Sequence, residues 1–95
     1  MRYYIKLEMR NQIAARTVQI KILAADSTKS RPRFAYAHFS KPKEWKTKKS
    51  AYAWLDLVMR WARNEIGCGD QSGIGNNQVR GVTGLIYTFT VEEKL

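Results

Sequence analysis

Cys68 and His38 are the only cysteine and the only histidine in the chain. A single thiol precludes an internal disulfide, so the fold must hold by packing alone, and the pattern fits a reducing compartment. One cysteine and one histidine fall short of a zinc site unless carboxylates join them, and none stands at a supporting spacing. No metal or other cofactor is expected. A Cys68–His38 nucleophile pair lacks any surrounding thiol-hydrolase pattern. No apolar run approaches the ~18 residues of a membrane-spanning helix. The opening residues, Met1-Arg2-Tyr3-Tyr4-Ile5-Lys6, have neither the apolar stretch nor the small-residue cleavage site of a secretory signal. These absences together predict a cytoplasmic protein without a membrane partner.

Acidic residues are also scarce. Eight Asp and Glu face 17 Lys and Arg, for a net charge of +9. A field of that sign attracts polyanions: nucleic acid, an acidic protein surface or anionic lipid. At 95 residues and 44% apolar content, the chain is sized for one domain with one modest core. That leaves room for a sheet with a helix across it and little room for a deep pocket, so no small-molecule substrate is expected.

Glycine is absent before Gly67, and all six glycines lie between Gly67 and Gly84. The stretch is long for a plain connection, so it is expected to be a mobile loop or to contain a small hairpin. It lacks the Gly-Lys-Ser/Thr ending of a P-loop. It also follows a helix and precedes a strand, the reverse of a dinucleotide-binding fingerprint.

Periodicity organises the rest. Tyr3 to Met9 alternates, with Tyr3, Ile5, Leu7 and Met9 on one face, the mark of a half-buried strand. The connection through Asn11-Gln12 and Ile13-Ala14-Ala15 is longer than a tight hairpin. Thr17 to Ala24 reads as a second strand with Val18, Ile20, Ile22 and Ala24 toward the core and Gln19 and Lys21 outside. Arg33 to Ser40 reads as a third, ended by Lys41-Pro42-Lys43, because proline cannot continue a ladder. Which face of it is buried stays open.

Thr47 to Ile66 carries Ala51, Leu55, Val58 and Ala62 at helical spacing, with Trp54 and Trp61 widening the stripe. Thr47 is the expected N-cap, Ser50 the competing choice, and Gly67 the stop. Leu85 to Val91 is the last strand, with Leu85, Tyr87, Phe89 and Val91 on one face. The expected fold is α+β: a four-stranded, mainly antiparallel sheet in the chain order β-β-β-α-β with one amphipathic helix packed on one face.

The excess charge is clustered. Lys29, Arg31, Arg33, Lys41, Lys43, Lys46, Lys48 and Lys49 share 21 residues with Glu44 as the only acid, for +7. Aromatics interleave with them: Phe34, Tyr36, Phe39 and Trp45. Lysines can neutralise phosphates while exposed aromatics stack on bases. Helix N-termini favour acids because the macrodipole is positive there, yet this helix opens with Lys46, Lys48 and Lys49. An anion held by those lysines and the free N–H groups would account for the arrangement. Arg80, near the end of the glycine-rich stretch, is added to the candidate contacts.

The expected function is binding without catalysis, to nucleic acid or nucleoprotein, through segment 29–49. In scale, compactness and want of catalytic motifs the chain is similar to small proteins encoded by phages and mobile elements, such as anti-CRISPR proteins. That likeness is one of size and style, and it implies an alternative: an inhibitor docking on a host protein complex, on an acidic or nucleic-acid-binding surface. A third reading takes Glu92-Glu93-Lys94 as the E-x-K of a metal-dependent nuclease, although the nearest further acid, Asp70, sits in the glycine-rich stretch.

Overall fold

The β-branched and alternating segments pair into one antiparallel sheet, and the amphipathic segment lies across one of its faces. The structure is a computed structural model and describes residues 1–11 and 16–94, apart from the side chains of Thr17 and Val18. The expectations placed on Gln12-Ile13-Ala14-Ala15 and on Val18 lie outside that description.

The strands are β1 (Arg2–Asn11), β2 (Arg16–Leu23), β3 (Phe34–Ala35), β4 (Gln78–Arg80) and β5 (Leu85–Lys94), with the helix α1 (Lys48–Glu65) between β3 and β4. Their order across the sheet is β3-β2-β1-β5-β4. The first three form the expected meander, and β5 returns along the other side of β1. The α+β class is as expected, but among the described residues the sheet has five strands where four were expected. The additional strand, β4, lies within the glycine-rich stretch and pairs with β5 beyond it, so the stretch supplies one arm of a hairpin whose other arm is the last strand. Three residues are too few for a period of two to stand out in the sequence.

Alternation on β1 and β5 sorts the two faces as expected. Ile5, Leu7 and Met9 meet Val91, Phe89 and Tyr87 across the strands, under the helix. From α1, Ala51, Leu55, Val58, Met59 and Ala62 are buried against them. Trp54 and Trp61 flank the stripe, Trp61 with its ring 6.2 Å from Phe34. Thr47 caps the helix, its Oγ1 accepting from the Ser50 N–H at 3.2 Å. Gly67 follows the helix as expected: any Cβ there would run into the Arg63 carbonyl.

Two expectations fail. On β2, Leu23 joins the helix-side core, while Ile22 lies opposite Lys6 and so on the other face. Ile20, on that same face, is 51% exposed. The chain beyond β3 is the reason: it folds over the helix-free face at Ile22 and buries it from that side. Both faces of β2 therefore accept apolar residues. The third strand is two residues long instead of Arg33 to Ser40. The Tyr36 carbonyl accepts from the N–H groups of both Phe39 and Ser40, which turns the chain at once. Phe34 goes to the core side, its ring 5.5 Å from Phe89. Among the described residues no helix is long and apolar enough to cross a membrane.

Candidate functional site

The basic segment is not a solvated loop. After the turn at residues 37–39, the chain wedges between the end of β2 and the start of β1. The Ala25 N–H donates to Lys41, the Lys43 N–H donates to Leu23, and Tyr3 and Trp45 exchange both backbone bonds, each at 2.9 Å. Pro42 bridges Ala24 in this run. It needs no donor there, because its neighbours carry the hydrogen bonds. The backbone is thus consumed by the sheet, and the side chains of Lys41 and Lys46 are left exposed. Two residues on, α1 begins with Lys48 and Lys49, both exposed, and no acid stands in its first turn.

One end of the sheet therefore collects the lysines. Lys41, Lys46, Lys48 and Lys49 point to solvent there, while Lys43 is half-buried with its ammonium 4.8 Å above the Trp54 ring. Lys29 and Arg31 are exposed on a turn closed by reciprocal backbone bonds between Thr28 and Arg31. That turn projects from the end of β2, on the same side of the sheet.

Other expected contacts are committed inside the protein. Arg33 forms a fork on Asp26, with Nη2 at 2.9 Å and Nε at 3.0 Å from Oδ1, and also reaches Ser40. Trp45 is half-buried, 5.6 Å from Trp54 between ring centres, so it serves as packing at the helix start. Tyr36 is half-buried between Lys21, 5.2 Å from its ring, and His38, stacked at 5.8 Å. Arg80 stands on the opposite edge strand, β4, away from the lysines. Its guanidinium donates to the carbonyls of Asp70 at 2.5 Å and Ser72 at 3.1 Å, so it ties down the glycine-rich stretch.

Three residues outside segment 29–49 or passed over within it join the lysine end. Lys94 bonds Glu44 at 2.7 Å. That bond, with the charges of Arg2 and Lys41 nearby, holds the Glu44 carboxyl below its ordinary pKa. Arg2 and Lys94 sit at the two ends of the chain, and only the pairing of β1 with β5 brings them to segment 41–49. Phe39 is the third: at 77% exposure it is the most exposed aromatic side chain. The sequence shows it among the interleaved aromatics, but a run that reads as a strand does not tell which of its rings is exposed.

The turn that carries Phe39 overhangs the helix-free face and encloses an open cleft of about 510 Å³. Tyr4, His38, Phe39, Lys41 and Lys94 line it, together with the edge of Ile22, which is only 5% exposed. Elsewhere on this face the charges neutralise one another: Lys6 pairs with Glu92 at 3.6 Å and Arg10 with Glu8 at 2.7 Å. Glu92 and Lys94 of the E-x-K run are thus both in ion pairs. Asp70 accepts from the Ser72 N–H and hydroxyl, which hold its carboxyl below the ordinary range. Among the described residues no three His, Cys, Asp or Glu gather as a metal site. Comparison with family models, curated proteins and solved structures finds no match for this chain.

Proposed function

We propose that the protein binds nucleic acid, free or within a nucleoprotein, chiefly through phosphates at the lysine end of its sheet. The observation that carries this reading is the exposure of Lys41, Lys46, Lys48 and Lys49 around a helix start that has no acid in its first turn. Lysine is a compact point charge on a flexible stem, suited to phosphate and indifferent to base identity. Counterion release then dominates the affinity. Arg33, Trp45 and Arg80 support the fold, and they are not part of the proposed contact surface.

The test is binding to short single- and double-stranded DNA and RNA at about 50 and 200 mM salt, beside a Lys46/Lys48/Lys49→Ala variant. Six to eight phosphate contacts predict a loss of roughly 10³–10⁴ in affinity across that range. The variant should flatten the log–log salt slope by about 2.7, at ~0.9 per contact removed. Feeble binding at low salt to every probe would overturn the reading.

A second reading rests on the exposed Phe39: an inhibitor that docks on an acidic protein surface, with that ring as an apolar anchor. It predicts modest salt dependence and capture of a protein partner in place of nucleic acid.

A further inference from the structure

Resting on the nucleic-acid reading, we propose that the cleft under the 37–39 turn takes an unpaired base, so that the ligand is single-stranded nucleic acid, with Phe39 as the stacking ring and Lys41 as its phosphate contact.

The argument starts from Phe39. The residue is 77% exposed. It is nonetheless held in place: His38 lies 4.1 Å away and Tyr36 6.5 Å away, ring centre to ring centre. Tyr36 is in turn fixed by the Lys21 ammonium. The turn is closed by two hydrogen bonds to the Tyr36 carbonyl. An exposed ring on an ordered support is a stacking platform whose ordering entropy is already spent on folding.

The cavity matches the rest of a nucleotide. Its volume, about 510 Å³, lies within the range of small-ligand sites, ~300–1,000 Å³. Tyr4, Ala37, His38 and Phe39 are among the residues that line it, and Lys41 lines it as well. A base would lie against Phe39 inside the cleft while its phosphate faces Lys41. A base inside a duplex cannot enter, because its faces are covered by its neighbours in the stack.

Charge gives the strand its direction. The centre of the helix-free face offers no net attraction, since Lys6 and Arg10 are matched by Glu92 and Glu8. From Lys41 the exposed cations continue instead to Lys46, Lys48 and Lys49. Lys41 and Lys46 are five residues apart in the chain, so their Cα atoms are at most about 18 Å apart. A strand of a few nucleotides can therefore hold one base in the cleft and its following phosphates on the helix start.

The test uses the whole protein with labelled 12-mers of single-stranded DNA, single-stranded RNA and duplex DNA, comparing wild type, Phe39→Ala and Phe39→Trp. Preference for either single strand over the duplex supports the inference, and the better of the two identifies the sugar. Phe39→Ala should weaken single-strand binding roughly 5- to 100-fold, the equivalent of losing one stacked base, with the duplex affinity and the salt slope unchanged. Phe39→Trp should restore binding, which a merely misfolded Phe39→Ala could not explain. If single strand and duplex bind alike and both variants match wild type, the cleft inference is overturned while the salt-steep charge reading stands. If no probe binds with a salt slope, both fall together.

Discussion

Two stretches of the chain look alike before folding and end as opposites. Segment 29–49 and segment 67–84 are both polar, both rich in turn formers and both flank the helix. The first turns out to be sewn between two strands at one end of the sheet, the second along its β4 edge. At the first, the stitching is done by backbone: Lys41, Lys43 and Trp45 give their main-chain groups to β2 and β1, and their side chains need not take part. At the second, side chains add to backbone bonds such as that from the Cys68 N–H to the Arg80 carbonyl at 3.0 Å. The Gln71 amide donates to the Arg80 carbonyl and accepts from its N–H, both at 2.8 Å, as a neighbouring strand would. Asn77, Arg63 and Arg80 add further bonds to backbone carbonyls. Polar side chains spent on the fold are not available for a ligand. That separates the basic end, with its exposed lysines, from the glycine-rich end.

The sharpest break of the comparison is Gln71→Ala. It strips the edge of β4 of its pseudo-strand and leaves the half-buried Arg80 backbone N–H without its acceptor. We expect a loss of about 1–3 kcal/mol in denaturant unfolding, with nucleic-acid affinity unchanged once the protein is folded. A loss of binding at full folding would show that the two ends are not separate.

The lysine end should respond with the opposite sign. Lys48→Ala and Lys49→Ala remove cations from the positive end of a helix and should raise stability by a few tenths of a kcal/mol each, while weakening binding. Equilibrium unfolding of each variant checks the sign. Destabilisation would mean that these lysines hold the fold, as Arg80 does.

The smallest effect concerns Glu44. Its folded pKa lies below the ordinary value because Lys94 bonds it, with Arg2 and Lys41 nearby. A depressed carboxylate pKa contributes stability that is present above the unfolded pKa and lost as pH falls through the folded one. That loss therefore begins below the ordinary glutamate range, about pH 4.3. Because the pair is at the surface, the effect is best read from the Glu44 NMR titration. Its midpoint should move up toward the ordinary value in Lys94→Ala. An unmoved midpoint would remove Lys94 from the cluster.

How far these regions were legible in the chain differs for a physical reason. The helix was readable to its cap, since Thr47 and the Ala51–Leu55–Val58–Ala62 stripe act over a few residues. So was the inward face of β1 and β5, which have one wet side. The second strand was not. A period of two assigns Ile20 and Ile22 to one face but cannot say which face the helix covers when Leu23 offers itself on the other. The burial of Ile22 depends on a segment arriving from beyond β3.

The candidate site divides the same way. Its charge was fully visible, because Lys and Arg carry their charge wherever they are placed. What each cation does was invisible, because Arg33, Lys43 and Arg80 acquire Asp26, Trp54 and the Asp70 carbonyl only through folding. Local composition, helix capping and net charge were therefore determined by the sequence alone, as properties of residues within one or two turns of each other. The tertiary structure decided the fifth strand, the face of β2, the exposure of Phe39 and the meeting of Arg2 and Lys94 with segment 41–49. Each of these joins residues distant in the chain, and such contacts are set by which surfaces the sheet brings together.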